Sequence, residues 1–205
     1  MRVIREAIGM NGTNCYMLAG DDFAVIIDPA EEHTATHDFA KYNKDKAHKA
    51  ILLTHCHFDH IGGVEALREI WKSPVIIGEN EAEGLTDPKI NFSAYWGEKV
   101  MSIAADRTVA DGEILNIGSC AIEVLHTPGH TKGSVCYFID GKLFSGDTLF
   151  NLSIGRTDLP TGSFDIELAS LEKLMRLDEN TPVYPGHGEE TTIGFEKANN
   201  PYLKR

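Results

Sequence analysis

Seven consecutive residues, Thr54-His55-Cys56-His57-Phe58-Asp59-His60, constrain this chain more than any other stretch. Four groups able to bind a metal are packed between His55 and His60, directly after the apolar run Ala50-Ile51-Leu52-Leu53. On extended backbone His55 and His57 leave the same side of the chain, while Asp59 and His60 follow after a turn and can reach a second point nearby. One segment could therefore serve two ions. Neutral imidazoles with one carboxylate suit zinc, iron or manganese, whereas calcium or magnesium would ask for more oxygen. A polar surface loop that happens to be rich in histidine is the plain alternative, and with nine histidines in 205 residues it is a poor account of this density.

The same arrangement of a strand followed by a ligand type recurs downstream. The apolar run Ala121 to Leu125 leads through His126 into Thr127-Pro128-Gly129-His130-Thr131, a turn that presents His130 at a strand end, with His126 in a packing or supporting role. The hairpin from Ser134 to Ser145, turning at Asp140-Gly141, ends at Gly146-Asp147-Thr148, and Pro182-Val183-Tyr184-Pro185 ends at Gly186-His187-Gly188. Candidate ligands thus follow four separate strands, a placement that scattered His and Asp would rarely give. His33, His37 and His48 stand outside any cluster and read as solvated. Cys56 lies between two candidate ligands, but alternation points it away from them.

Between these points the pattern predicts an N-terminal β-meander through Asp28, helices over Thr34–Tyr42, Val64–Trp71 and about Phe164–Met175, a short strand at Pro74–Ile77, and strands from Val109 onward. The less periodic stretch from Glu79 to Met101 predicts a helix and a loop over the site, with Asn91, Phe92, Tyr95 and Trp96 as candidates for lining a substrate pocket. No linker or tandem repeat divides the chain, so one α/β domain over residues 1–205 is expected. Each half does run from a meander to a ligand-bearing turn, which makes a duplicated layout plausible.

Composition excludes several classes. With 31 acidic against 19 basic side chains and a formal charge of −12, the chain offers no basic footprint for nucleic acid. Cys15, Cys56, Cys120 and Cys136 are too dispersed for a CxxC pair or a disulfide scaffold and read as reduced core thiols. The apolar runs are too short to span a bilayer and the N-terminus lacks a signal-type apolar region, so the expectation is a cytoplasmic protein without a membrane partner. Oligomeric state is left open by these features.

His55-Cys56-His57-Phe58-Asp59-His60 fits the HxHxDH signature of the metallo-β-lactamase superfamily, and His130, Asp147 and His187 follow at similar spacing, so the chain resembles that superfamily over nearly its whole length. The resemblance implies an αββα sandwich, two mixed β-sheets face to face with helices outside. It also implies two divalent metal ions, zinc first, with iron or manganese admitted: His55, His57 and His130 on one, Asp59, His60 and His187 on the other, Asp147 bridging. Within the family the chain looks most like the short glyoxalase II-like (hydroxyacylglutathione hydrolase-like) enzymes, an identification that Pro185-Gly186-His187-Gly188, Thr191-Thr192-Ile193-Gly194 and Asn200-Pro201-Tyr202 support.

What that implies is hydrolysis of a thioester such as S-lactoylglutathione or a related acyl-thiol by a hydroxide bridging the metals, with Asp59 a ligand first and a candidate for orienting that hydroxide. Two ions lower the pKa of a shared water from about 15.7 to about 7. The departing thiol, with a pKa of about 8.5, needs no strong acid. Two departures bear on the thiol. The helical C-terminal domain that gives full-length glyoxalase II part of its glutathione site has no counterpart in the residues after His187, and the family's Lys-x-Tyr contacts align with Arg156 and Asp158. Arg156 is then the candidate for a substrate carboxylate, with an ion pair to Asp158 as the plainer role. Gly155-Arg156-Thr157-Asp158 also resembles a stretch of the persulfide dioxygenases, which use one iron and would leave His60 outside the ligand set. A metal-stabilised binding module without catalysis is a third possibility, disfavoured because seven ligand candidates exceed what a closed structural site needs.

Overall fold

Apolar runs buried on both faces decide the architecture. In strand β4 (His48–Leu53), which follows β1 (Arg2–Ile8), β2 (Thr13–Ala19) and β3 (Phe23–Ile27), Ala50 and Leu52 face one apolar cluster while Ile51 and Leu53 face another. Period-two alternation with both sides apolar means that the sheet is covered on both faces. The computed structural model describes residues 1–96 and 101–204. Its first sheet runs in the order β1-β2-β3-β4, then β5 (Val75–Gly78) and β6 (Arg107–Val109), antiparallel through β3 and parallel thereafter. The predicted meander, and the strand that delivers the metal segment, are both here.

The second sheet uses β7 (Ile114–Ile117), β8 (Cys120–His126), β9 (Val135–Ile139) and β10 (Lys142–Gly146) as an antiparallel meander. After a two-stranded ribbon, β11 (Leu149–Phe150) and β12 (Ser153–Ile154), the chain adds β13 (Pro182–Pro185) parallel to β10 and β14 (Thr191–Thr192) at the edge. Tyr16, Leu18, Val25 and Leu52 of the first sheet meet Leu115, Ile122, Val124, Tyr137 and Phe144 of the second in the central core. Helices α1 (Thr34–Tyr42), α2 (Phe58–Ile61) and α3 (Val64–Trp71) lie on the first-sheet side, where Ala40, Leu67 and Trp71 cover its outer face. Two short helices, α4 (Ala82–Thr86) and α5 (Ser93–Trp96), follow β5, and α6 (Phe164–Leu174) and α7 (Ile193–Asn199) close the outer face of the second sheet through Leu168, Leu171, Leu174 and Ile193. The result is helix, sheet, sheet, helix.

Three elements depart from the expectation. Asp59 and His60 do not follow a plain turn; they sit inside the short helix α2. The ribbon β11–β12 and the closing β14–α7 unit carry too few residues for a period to be legible. The stretch Glu79–Met101 does hold helix, as a 3-10 turn at Glu79–Glu81 followed by α4 and α5, and its residues 97–100 lie outside the described residues. Among the described residues no helix is long and apolar enough to cross a membrane. The four cysteines are free and buried, as their dispersal suggested.

Candidate metal centre

Five of the seven candidate ligands follow the C-terminal end of a strand, Asp59 and His60 come from α2 just after β4, and all those ends lie along one edge of the sandwich. His55 and His57 follow β4, His130 follows β8, Asp147 follows β10 and His187 follows β13. Cross-sheet bonds hold that edge together: Tyr16 Oη donates to the Pro185 carbonyl at 2.7 Å, the Asn14 amide N–H to Gly186 at 2.7 Å, and Tyr137 Oη to Leu53 at 2.8 Å. The side-chain atoms then converge in three overlapping groups, His55–His57–His130, His55–His60–Asp147 and Asp59–His60–His187, each within 4.8 Å. Asp147 is central, with Oδ1 3.4 Å from His60 Nε2 and Oδ2 3.4 Å from His187 Nε2 and 3.6 Å from His130 Nε2. All seven residues expected from the sequence are brought together.

In four of the five histidines the ring nitrogen on the far side meets an oxygen that accepts from it. His130 Nδ1 donates to the Arg156 carbonyl at 2.7 Å, His60 Nδ1 to Asp28 Oδ2 at 3.0 Å and His187 Nδ1 to the Asn11 carbonyl at 3.2 Å. Thr54 Oγ1 gives its own proton to Asp28 Oδ2 and so accepts from His55 Nδ1 at 3.0 Å. These partners place the neutral ring's lone pair on Nε2, toward the cluster, for four of the five histidines. For the fifth, His57 Nδ1 faces His130 Nε2 at 2.9 Å.

Two properties make this cluster fit a cation. His55 Nε2 and Asp147 Oδ1 are buried without any hydrogen-bond partner, an arrangement that is costly unless a further group satisfies them. The field is also strongly negative on one side: burial works against a charged His60, yet Asp147, Asp28 and Asp59 hold its pKa up to about 10. Burial likewise opposes ionisation of Asp147, but His60 and His187 outweigh it and keep the carboxyl well below its usual range. On the other side burial and His130 push His57 down to about 3, and burial with His60, His130 and His57 pushes His55 well down, so those rings are neutral and ready to donate lone pairs.

The cluster forms the floor of a cavity of about 480 Å³ whose walls include Phe58, Phe92, Trp96, Phe150, Ile154 and Leu159. Of the four pocket candidates from the sequence, Phe92 and Trp96 line it. Asn91 instead is fully buried and binds the Met101 carbonyl at 2.9 Å, fixing a loop, and Tyr95 projects outward, 63% exposed, beside the Phe92 ring. Arg156 lines the rim, where Asp158 grips its guanidinium through two bonds of 2.7 and 2.9 Å. His126 stays outside the cluster, its ring on the Lys132 carbonyl, and Cys56 points into the first-sheet core as alternation required.

Sequence reasoning missed the supporting carboxylates. Asp28, at φ 50° where β3 ends, accepts from the Thr54 amide, Thr54 Oγ1 and His60 Nδ1. Buried Glu81 accepts from the amides of Cys56 and Gly133, both at 2.9 Å, tying the His55–His57 segment to the His130 loop. Buried Glu167 packs against Gly129, and burial raises its pKa to about 8. The signal for Asp28 was its place at a strand end, the same signal that marked Asp147; Glu81 and Glu167 carried none. Gly186 shows why the flanking glycines matter: a Cβ there would collide with Asp147 Oδ1.

The sequence pattern of the Metallo-beta-lactamase superfamily matches residues 8–187, which contain the entire cluster. The chain belongs to that superfamily. Curated superfamily relatives include a probable metallo-hydrolase, YqgX, of Bacillus subtilis (strain 168), 44% identical over 99% of this chain and 98% of that protein. The hydroxyacylglutathione hydrolase GloC of Haemophilus influenzae is 35% identical, covering 93% and 92%. Among solved structures, the BLEG-1 B3 metallo-beta-lactamase matches at a TM-score of 0.89 with 40% identity over 100% of both chains. TTHA1623, solved in a di-iron-bound form, matches at 0.85 with 34% identity over 98% and 100%. The metallo-β-lactamase fold inferred from the sequence is thereby shown, and membership makes the chain a metal-binding enzyme of the metallo-hydrolase kind.

Proposed function

We propose that this chain is a binuclear metallohydrolase that cleaves thioesters, S-lactoylglutathione or a related acyl-thiol, with two divalent ions held by the seven clustered residues. The observation that carries the reading is the convergence of two ligand sets on Asp147 at the floor of an aromatic cavity, with His55 Nε2 and Asp147 Oδ1 unpartnered. His55, His57 and His130 would hold one ion, Asp59, His60 and His187 the other, and Asp147 would touch both. Similarity to a hydroxyacylglutathione hydrolase and to a di-iron structure supports the substrate class and the metal count. Zinc, iron and manganese all suit this donor set. When bound, such ions supply a hydroxide at neutral pH and a Lewis acid for the carbonyl.

The chain's own contribution is positioning. Oxygen acceptors at Nδ1 lock the ligand tautomers, so little reorganisation is needed on loading. Phe92 and Phe150 stand beside His57 and His187 respectively and form dry walls on both sides of the reacting centre. Arg156 is placed to meet a substrate carboxylate if one displaces Asp158, an exchange between two exposed partners that costs little. The rival one-iron dioxygenase needs His60 outside the ligand set, whereas its Nε2 lies 3.4 Å from both Asp147 and His187.

The test pairs elemental analysis of chelator-free protein with S-lactoylglutathione hydrolysis on the same sample. Two metals per chain with turnover, lost by about 100-fold or more in Asp147→Asn, is the expected outcome. One iron per chain, no hydrolysis, and oxygen uptake with glutathione persulfide would overturn the proposal. Full metal loading with no turnover on thioesters, persulfides or other esters would leave only a binding module.

A further inference from the structure

The outer supports of the two ligand sets differ in kind. His55, His57 and His130 are all buried, and their supports, Thr54 and the Arg156 carbonyl, belong to segments anchored by the core. Asp59 and His187 are only partly buried, and both lean on one exposed residue far away in sequence. That residue is Asn11, at the tip of the turn between β1 and β2. Its side-chain amide donates to Asp59 Oδ2 at 2.9 Å, and its carbonyl accepts from His187 Nδ1 at 3.2 Å. The turn itself is tight, with Gly9 and Gly12 at φ 78° and 63° and the Gly12 amide on the Gly9 carbonyl at 3.1 Å.

We infer that Asn11 is a positioning residue for the second metal: it sets the affinity of the Asp59–His60–His187 position, so that the two positions load with different affinities. The inference rests on the two-metal reading above. Its physical basis is preorganisation. Asp59 Oδ2 lies 3.6 Å from His187 Nε2, and a solvated aspartate would swing away from that point; the Asn11 amide holds it there before any cation arrives. The same residue's carbonyl fixes His187 with Nε2 inward, so one turn sets two of the three ligands, while the third, His60, is set independently by buried Asp28. Removing the Asn11 side chain takes away only the Asp59 half, since the backbone carbonyl remains. Loss of a single outer support of this kind weakens metal affinity by about 10–100-fold.

The experiment titrates chelator-stripped, full-length protein with zinc against a chromophoric chelator and reads the first and second equivalents separately. Wild type is compared with Asn11→Ala, Asn11→Leu and, as a control in the same turn, Met10→Ala, a side chain 79% exposed. Asn11 is exposed, and the urea midpoints of all four proteins should agree. The expected result is a second equivalent weakened about 10–100-fold in both Asn11 variants, with the first equivalent and Met10→Ala unchanged. A second equivalent within twofold of wild type in Asn11→Ala, equal weakening of both equivalents, or recovery in Asn11→Leu, which would mean that bulk rather than the amide acts, would each overturn the inference while leaving the two-metal reading intact. Only a wild-type protein that binds a single equivalent would overturn both.

Discussion

At the scale of single residues, the centre is built from side chains that would be expensive anywhere else in the molecule. Asp28 is an ionisable group 2% exposed, yet it accepts three hydrogen bonds, two from Thr54 and one from His60, and so is satisfied where it stands. Asp28→Ala leaves the Thr54 amide and the His60 ring without their acceptor in a site closed to water. The expected loss is ~3 kcal/mol of stability in denaturant unfolding, together with weaker zinc binding. An unchanged midpoint would mean that water replaces the carboxylate. Of the isolated histidines read as solvated, His33 and His48 are exposed, His33 capping the first helix by accepting from the Ala35 amide. His37 departs from that reading: it is half-buried on the first helix and its Nε2 is buried without a hydrogen-bond partner.

Among the elements, the segment after β5 is the one whose role the sequence conceals. It puts Glu81 between the two ligand-bearing loops, and Gly78 and Gly133 are both glycine where the backbones press together. Glu81→Ala removes the acceptor for two buried amides, those of Cys56 and Gly133, at about 1–3 kcal/mol for each unpaired group. We expect a stability loss of roughly 2–6 kcal/mol, and faster amide hydrogen exchange confined to residues around Cys56 and Gly133. Exchange that rises uniformly would assign Glu81 to general packing instead. The ligand strands, by contrast, were legible because each is a short apolar run ending in glycine, histidine or aspartate. Helix α2 was not, since four residues are too few to display a helical period.

For the whole molecule, the metal site and the fold are one problem. The ligands come from strands of both sheets, and the sandwich must be assembled before they meet, so a cation that binds the cluster binds the folded state alone. At a free zinc concentration 100 times its dissociation constant, such binding adds about 2.7 kcal/mol. For a chain of this size that corresponds to a rise of roughly 5–10 °C in Tm over chelator-stripped protein, reversible on re-addition of zinc. A Tm indifferent to chelator would separate the cluster from folding and count against a metal centre. The sequence by itself determined the α/β class, the strands that carry chemistry, and the seven ligand candidates, because apolar runs, turn residues and metal-binding side chains are local properties that a linear pattern records; the layered sandwich was implied there only by resemblance to the superfamily. Only the tertiary structure decided that Asn11, Asp28, Glu81 and Arg156 support those ligands, since each acts across a contact between segments far apart in the chain. A carboxylate or amide used in that way looks, in sequence, like any other polar residue in a turn.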